Sequence, residues 1–251
     1  MHRRLIAAGL AAYALGLLVT APAGLLQALC NKASEGRLNI AEAQGSLWSG
    51  AGQIEIRDVG KAAGSSKAVI AKSIAWRLQP AYLLRGQLRA EIRLDQRDKP
   101  FIVSASLSGV EIEDADIELP ARALTLAVPK LAALGLSGDV NLSIPHLEVG
   151  KTGMKGDATL QWRTAGSALS RVSPLGDYEL TLHGGGVTIN ALLRTLKGPL
   201  QLDGQGSWPY GNNPVFQVTA RIPPRQSEQL APLLRLIAIE RGDGSFALQL
   251  K

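Results

Sequence analysis

The chain has 251 residues, a formal net charge of +6 and an aromatic content of 4%. Its basic residues are interspersed with acidic ones, as in residues 89–93, so they do not form the basic, aromatic-rich stripe typical of nucleic-acid binding. The single cysteine, Cys30, excludes an intrachain disulfide, and the fold must therefore be held by its own apolar core.

The N-terminal segment is apolar and follows a basic cluster. Residues 5–29 contain no charged side chain and come directly after Arg3 and Arg4. Since a helix rises about 1.5 Å per residue, about 20 apolar residues are enough to cross the hydrocarbon core of a membrane. The pattern predicts a cytoplasmic tip and a single transmembrane helix within residues 1–30, with the remainder of the chain translocated. The apolar side chains of this predicted anchor include Leu5, Leu15, Leu18, Leu26 and Leu29.

A cleaved signal peptide is the alternative for this segment. Residues 21–23, Ala-Pro-Ala, have the small-x-small pattern that precedes a cleavage site. Retention is favoured because Pro22 lies inside that pattern, and because Leu25 and Leu29 extend the apolar run beyond the usual signal length. In a retained anchor, Pro22 is expected to kink the spanning helix, which bilayer helices tolerate.

Beyond the anchor, apolar and polar residues alternate with a period of two. In residues 87–95, the leucines, Ala90 and Ile92 fall on one face, and polar side chains fall on the other. This pattern is typical of a strand with one buried and one solvated face. We therefore predict a mainly β fold, with an antiparallel β-rich domain after the anchor. The same alternation marks residues 53–57, 141–144, 177–182 and 246–250.

Helices are expected to be few and short. Residues 129–134 fit one or two helical turns, and residues 190–196 fit a helix with Asn190 as its N-cap. Residues 226–239 have leucines at helical spacing and are the best candidate for a soluble helix. Glycine and aspartate in residues 136–139 predict a turn between two strands.

Two tryptophans precede similar segments in the two halves of the chain. Trp76 and Trp162 are each followed by an arginine, and further on by a glycine and a long alternating strand. The pattern suggests two similar β units, and chance similarity in a leucine- and glycine-rich chain is the alternative. We place the first β unit in residues 31–120 and the second in residues 121–251, packed together as one body.

The sequence contains no catalytic or cofactor-binding constellation. Residues 183–186, His-Gly-Gly-Gly, resemble the oxyanion-hole motif of some lipases, but the accompanying Gly-x-Ser-x-Gly elbow is missing. His146 and His183 are isolated in strand-like contexts, and we predict no metal site from them. The acidic residues 111–118 lack the spacing of a calcium loop, so we expect a solvated strand face; contact with a partner's basic patch is the alternative. We predict no enzyme activity, no cofactor and no nucleic-acid partner.

Three short motifs follow one another along the chain. They are Gly-Ser-Leu-Trp-Ser-Gly at 45–50, Trp-Arg-Leu-Gln-Pro at 76–80 and Ser-Pro-Leu-Gly-Asp-Tyr at 173–178. In their order and spacing they resemble the type II secretion system protein N family, also called general secretion pathway protein N, over essentially the full length of the chain. We expect the motif residues to be structural. They are Gly45, Leu47, Trp48, Gly50, Trp76, Pro80, Gly86, Trp162, Pro174, Leu175, Gly176 and Tyr178.

The resemblance implies a non-enzymatic component of the bacterial type II protein secretion apparatus. The chain would be anchored in the inner membrane by a single pass, with its β-rich bulk in the periplasm, and would contact other secretion subunits. The family supplies no catalytic residues to carry over. The alternative is a periplasmic lipid- or hydrophobe-binding β-groove module of the cell envelope, because a curved sheet with an apolar concave face can form an apolar groove.

Overall fold

A computed structural model describes residues 9, 16, 20–34, 36, 38–57, 68–95, 99–127, 129–223, 230, 239, 240 and 246–250. The predicted anchor residues Leu5, Leu15 and Leu18 lie outside this described part. Within it, no helix combines the length and the apolar character needed to cross a membrane. The chain forms two compact units, Met1–Pro100 and Phe101–Lys251. The division predicted between residues 120 and 121 falls inside the second of these units and stays a prediction.

The first unit is an antiparallel meander with one helix at its start. Its strands pair in chain order, each with the next, and the mainly β prediction is confirmed. A 3-10 helix connects the last two strands. The elements are α1 (Gly24–Ala33), β1 (Leu38–Gly45), β2 (Ser49–Arg57), β3 (Ala68–Gln79), the 3-10 helix Pro80–Arg85 and β4 (Gln87–Leu94).

Strands β3 and β4 follow the alternation read from the sequence. Every second residue from Ile74 to Leu78 on β3 is buried, and the residues between them are exposed. The strand predicted over residues 87–95 is confirmed as β4, with Ala90 buried in the same core. Leu88, at the start of β4, is 44% exposed, so the buried side of this strand begins at Ala90.

The chain before α1 is attached to the sheet. Pro22 is not helical but forms an isolated antiparallel bridge with Ser46, and α1 begins only at Gly24. The prediction that Pro22 kinks one continuous helix is therefore wrong. Proline has no N–H for a helical hydrogen bond and disfavours helical geometry at the residue before it, so the helix is interrupted.

Two alanines beside this bridge are part of the core of the first unit. Ala21 and Ala23 are 3% and 2% exposed. The Leu47 amide donates a hydrogen bond to the Ala21 carbonyl at 2.8 Å, and the Ala23 amide donates to the Gly45 carbonyl at 3.3 Å. The segment 21–23 is thus held by backbone hydrogen bonds on both sides of the bridge.

Two of the predicted anchor leucines lie in α1. Leu26 packs against the core of the first unit, which also includes Ile40 and Trp76. Leu25 and Leu29 are 49% and 59% exposed, and they lie four residues apart on one side of the helix.

The second unit is a longer antiparallel sheet. Its strands pair in chain order from β5 to β12, after which β14 pairs with β12, and β13 forms the outer strand. Three short helical segments lie between β6 and β7. Its elements are β5 (Phe101–Ser106), β6 (Gly109–Pro120), the 3-10 helix Ala121–Ala123, α2 (Leu124–Ala127), the 3-10 helix Pro129–Leu134, β7 (Leu136–Gly150), β8 (Met154–Ser167), β9 (Gly176–Gly186), β10 (Thr188–Lys197), β11 (Gln201–Pro209), β12 (Phe216–Arg221), β13 (Ile239–Glu240) and β14 (Phe246–Leu250).

The predicted helix over residues 190–196 is wrong, because this segment lies in β10. Its leucines fit helical spacing, but the segment pairs with β9 on one side and β11 on the other. Ala191 is buried and Leu192 is 53% exposed, which is the alternation of a strand. Tertiary pairing outweighs the helical propensity of the leucines, because intrinsic propensity only weakly determines the structure of a segment.

Two further predictions have different outcomes. The helical turns predicted for residues 129–134 are confirmed as a 3-10 helix.

The turn predicted at residues 136–139 is wrong, because the segment lies in β7. Gly138 has a φ of 103° there, and the register shifts between Ser137 and Asp139. The same glycine chemistry that makes turns also makes bulges inside strands.

The helix predicted for residues 226–239 lies mostly outside the described residues. Leu230 is helical and fully buried, whereas Ile239 belongs to β13. Leu230 joins the core cluster of the second unit at one end of its sheet. The buried members of this cluster are Leu134, Leu175, Leu200, Ala220, Leu230 and Phe246.

Two tryptophan corners and a candidate interaction face

The first motif forms the hairpin between β1 and β2. Gly45 and Gly50 lie opposite each other at its base, and Gly45 has a φ of 93°, which favours glycine. The Ser46 amide donates to the Ser49 carbonyl at 2.9 Å, and the Ser46 hydroxyl accepts from the Ser49 amide at 3.1 Å. Together with Trp76, this hairpin makes up what we call the first corner.

Trp76 closes the first corner from β3. Its indole N–H donates to the carbonyls of Ser46 and Leu47 at 3.3 and 3.2 Å. The indole ring occupies the place that a Cβ atom on Gly50 would take, so a larger residue at Gly50 would displace the ring. Trp48 contributes its carbonyl, which accepts from the Leu78 amide at 2.7 Å. The motif residues of the first half of the chain thus converge on one hairpin.

Pro80 and Gly86 bound the 3-10 helix that follows β3. Pro80 is its first residue. The N–H of a first helical residue has no partner within the helix, so the missing N–H of proline costs no hydrogen bond there. Gly86 has a φ of 70°, and its amide donates to the Leu83 carbonyl at 2.9 Å. A Cβ atom at Gly86 would meet nothing within 4 Å, so backbone conformation rather than space calls for glycine there.

The second corner is built around Trp162 on β8 and Tyr178 on β9. These residues lie opposite each other, with ring centroids 5.9 Å apart and ring planes tilted by 53°. The indole N–H of Trp162 donates to the Ser137 carbonyl at 3.0 Å. The hydroxyl of Tyr178 donates to the Leu200 carbonyl at 2.9 Å, and burial followed by the charge of Asp177 raises the pKa of Tyr178.

The motif residues before Tyr178 pack tightly at the start of β9. The Leu175 carbonyl accepts a hydrogen bond from the Leu200 amide at 3.0 Å. A Cβ atom on Gly176 would lie 2.7 Å from the Lys197 carbonyl, so the neighbouring backbone approaches too closely for a side chain. Pro174, joined to Ser173 by a cis peptide bond, leads into this segment.

One face of the second unit carries a row of mostly polar side chains across seven neighbouring strands, from β6 to β12. The register places each of them directly opposite the next. Opposite residues on one face lie about 5 Å apart, so neighbouring side chains interact. We call this side of the sheet the polar face. The row consists of Asp116, Ser143, Thr159, Thr181, Leu192, Gln205 and Gln217.

Glu179 lies near the centre of the polar face, and its side chain is only 10% exposed. Its carboxylate accepts from Gln161 Nε2 at 2.9 Å and from Arg194 Nε at 2.8 Å. Arg163 donates to Gln161 Oε1 at 3.0 Å, which orients the amide toward Glu179. The Gln161 hydrogen bond and the Arg194 guanidinium lower the pKa of Glu179, although its burial acts in the opposite direction. The carboxylate is therefore held in its charged form.

Among the described residues, the open depressions on the polar face include the following two. One, of about 510 Å³, is lined by Leu192, Gln205 and Gln217 among others. The other, of about 320 Å³, lies between β6 and β8, and there the buried Asn141 Oδ1 has no hydrogen-bond partner among the described residues. Such a surface offers donors and acceptors to another chain.

Both histidines of the second unit lie beside carboxylates. Glu113, His146, Asp157 and His183 lie opposite one another on β6 to β9. His183 Nδ1 is 2.7 Å from Asp157 Oδ1, and His146 Nδ1 is 3.7 Å from Glu111 Oε1. Both histidines lie in strands, as expected, with side chains that are 53% and 59% exposed. The strand register, which the sequence does not reveal, brings residues far apart in the chain side by side.

The sequence did not predict the network around Glu179. The alternation in residues 177–182 placed Glu179 on the same face as Thr181, and that signal was correct. The alternation within one strand contains no information about Gln161 or Arg194, which lie on the two neighbouring strands. Only the pairing of β9 with β8 and β10 identifies them.

The chain matches the model of a known family. The model of the family described as type II secretion system (T2SS), protein N matches residues 36–249, which include strands β1 to β13 and most of β14. No curated protein and no solved structure matches the chain significantly. The resemblance read from the three motifs is confirmed.

Proposed function

Because the chain belongs to the type II secretion system protein N family, we propose that it is a non-enzymatic, inner-membrane-anchored component of the bacterial type II secretion apparatus. Its β-rich bulk lies in the periplasm, where it acts through protein–protein contacts with other secretion subunits. The observation that carries this proposal is the family match over residues 36–249, because it includes both tryptophan corners and the polar face.

The proposed anchor rests on the apolar sequence before residue 21, because Ala21, Ala23 and Leu26 are part of the first unit. Its retention is supported by the segment 21–23, because cleavage after Ala23 would remove two residues that are buried in the first unit and hydrogen-bonded to it. The exposed Leu25 and Leu29, with Lys32 in the last turn of α1, would rest against the membrane surface.

The topology is tested by two measurements on the full chain. The intact mass of the protein isolated from membranes should include residues 1–23. A reporter fused after Lys251 should be active only in the periplasm. A mature protein that starts at Gly24, or a reporter that is active in the cytoplasm, would refute the anchored topology.

We place the contact with other subunits on the polar face. The support is the fixed Glu179–Arg194 pair, the open depression beside Gln205 and Gln217, and the unpartnered Asn141 Oδ1. Ordered polar groups lose little entropy on binding, which favours recognition by a partner protein.

The contact is tested by photo-crosslinking in living cells. A photoreactive amino acid at Gln217 should form adducts with other secretion subunits. The matched control is Thr152, which is exposed in the turn between β7 and β8. Equal adducts from both positions, or adducts with abundant bystander proteins only, would contradict this placement.

A lipid-handling module is the second candidate, favoured by one observation. On the side of the sheet opposite the polar face, Ile112, Leu147 and Leu182 are only half-buried. Such side chains can contact acyl chains. A photoactivatable fatty acid incorporated into membranes would label this apolar side if the module holds lipid. Labelling confined to residues 1–34 would favour the secretion scaffold.

A further inference from the structure

We propose that Glu111, Glu113 and His146 form a binding site for a divalent transition-metal ion, of which Zn²⁺ fits the donors best. The site lies on β6 and β7 of the second unit. It is independent of the secretion role, because it rests on local geometry alone. One ligand atom from each of the three side chains lies within 4.8 Å of the other two.

The backbone brings these residues together. Glu113 lies directly opposite His146, and Glu111 lies opposite Glu148, in the pairing of β6 with β7. His146 Nδ1 is already 3.7 Å from Glu111 Oε1. A tetrahedral zinc ion with ligands at about 2.1 Å holds them roughly 3.4 Å apart. A small shift of Glu111 brings it to this separation from His146, and Glu113 lies within 4.8 Å of both ligand atoms. Water would complete the coordination.

The local charge favours a bound cation. Glu111 and Glu148 are like charges at directly opposite positions, an arrangement that is destabilising by itself. Lys155 lies opposite Glu148 on the other side and offsets part of this repulsion. On the remaining side of His146, Asp157 lies opposite it and is hydrogen-bonded to His183. The imidazole is thus surrounded by carboxylates on both neighbouring strands.

The imidazole decides which metal is expected. Ca²⁺ and Mg²⁺ prefer sites made of oxygen ligands, whereas zinc accepts imidazole nitrogen together with carboxylate oxygen. Cys30 lies in the first unit, outside this cluster. One histidine and two carboxylates, with an open position for water, make a solvent-accessible site of moderate affinity rather than a closed structural zinc site.

The test is isothermal titration of Zn²⁺ into the full chain in detergent micelles, without a polyhistidine tag. We expect one zinc ion per chain. His146→Gln should weaken binding at least about tenfold, and Glu111→Gln should weaken it as well. His183→Gln is the matched control, because this histidine also lies on the same face beside a carboxylate, Asp157, but is not part of the cluster formed by Glu111, Glu113 and His146.

Circular dichroism of each variant without metal checks that its fold is intact. Zinc binding that is lost in His146→Gln and kept in His183→Gln supports the site. Equal loss in both variants, no effect of His146→Gln, absence of binding up to about 100 µM zinc, or loss only on His2→Gln would each overturn it. Tighter binding of Ca²⁺ than of Zn²⁺ would also overturn it, because the histidine would then not be a ligand.

Discussion

The two corners use a tryptophan in the same way but bury it differently. In both, a strand carries an indole whose N–H donates to a main-chain carbonyl, and an antiparallel strand follows after a connection. Trp76 is 5% exposed and lies within the core of the first unit. Trp162 is half-buried, and Tyr178, 3% exposed, is the aromatic side chain buried at the second corner.

The residue opposite each tryptophan explains the difference. Trp76 pairs with Gly50, and its ring fills the space left by the missing side chain. Trp162 pairs with Val140, which carries a side chain that is itself 1% exposed, so the space that Gly50 leaves is not available there. A single glycine therefore decides whether the indole lies over the neighbouring strand, and the depth of an aromatic residue in a sheet depends on its cross-strand partner.

The largest expected effect comes from removing each indole in turn. Trp76→Ala should lower the free energy of unfolding of the first unit by about 3–5 kcal/mol, because a buried aromatic side chain is lost and a cavity remains. Trp162→Ala should lower that of the second unit by about 1–2 kcal/mol, because its ring is only half-buried. Hydrogen exchange of peptides from β2–β3 and from β8–β9 measures the two effects separately. Equal effects would show that burial does not distinguish the corners.

The next effect tests the role of the glycine. Gly50→Ala should lower the free energy of unfolding of the first unit by about 1–3 kcal/mol, because its Cβ atom collides with the Trp76 ring and the Gln44 carbonyl. Gly185→Ala is the matched control, since a Cβ atom there would come no closer than 3.8 Å to the Thr188 carbonyl. Urea unfolding followed by tryptophan fluorescence compares them. An unchanged free energy of unfolding in Gly50→Ala would contradict the explanation given for the first corner.

The strands were predictable from the sequence because period-two alternation is a property of a single segment. β4 and the strands containing residues 53–57, 141–144 and 177–182 were found in this way. Residues 190–196 were missed because leucines at 192, 193 and 196 satisfy helical spacing equally well. In that segment the choice is made by pairing with β9 and β11, which is a tertiary effect.

The contacts of the corners and of the polar face were not predictable from the sequence. The sequence shows where the motif glycines lie, but neither the close approach of Trp76 to Gly50 nor the bulge at Gly138 follows from composition. The hydrogen bonds of Glu179 depend on the register of three strands. Register is set by the whole sheet, so an isolated strand pattern does not contain it.

A smaller effect sharpens the comparison at Tyr178. Tyr178→Phe should lower the free energy of unfolding of the second unit by about 1 kcal/mol, because the hydrogen bond to the Leu200 carbonyl is lost. The raised pKa of Tyr178 adds a dependence on pH. An unfolded tyrosine ionises near pH 10, whereas the buried one stays neutral, so stability falls as the pH rises above about 10. Melting temperatures at pH 8 to 11 should fall less steeply in Tyr178→Phe than in the original chain, and equal slopes would contradict the assignment.

The smallest effect concerns the charged pairs of the two units. The pKa of Glu179 is lowered by Gln161 and Arg194, and that of Asp95 in the first unit is lowered by Lys72 and Ser73. A carboxyl group whose pKa is lower in the folded chain stabilises the fold at pH values above the pKa that this group has in the unfolded chain. This contribution is lost as the pH falls below about 4.

We expect Glu179→Gln to lower the free energy of unfolding of the second unit at pH 7 by less than about 1 kcal/mol, since the Arg194 side chain is 60% exposed. Asp95→Asn should have a weaker effect still, because the Asp95 side chain is 42% exposed and that of Glu179 only 10%. Thermal unfolding between pH 3 and 6 checks the order: Glu179→Gln should flatten the acid dependence more than Asp95→Asn does. The reverse order would mean that exposure does not set the strength of these pairs.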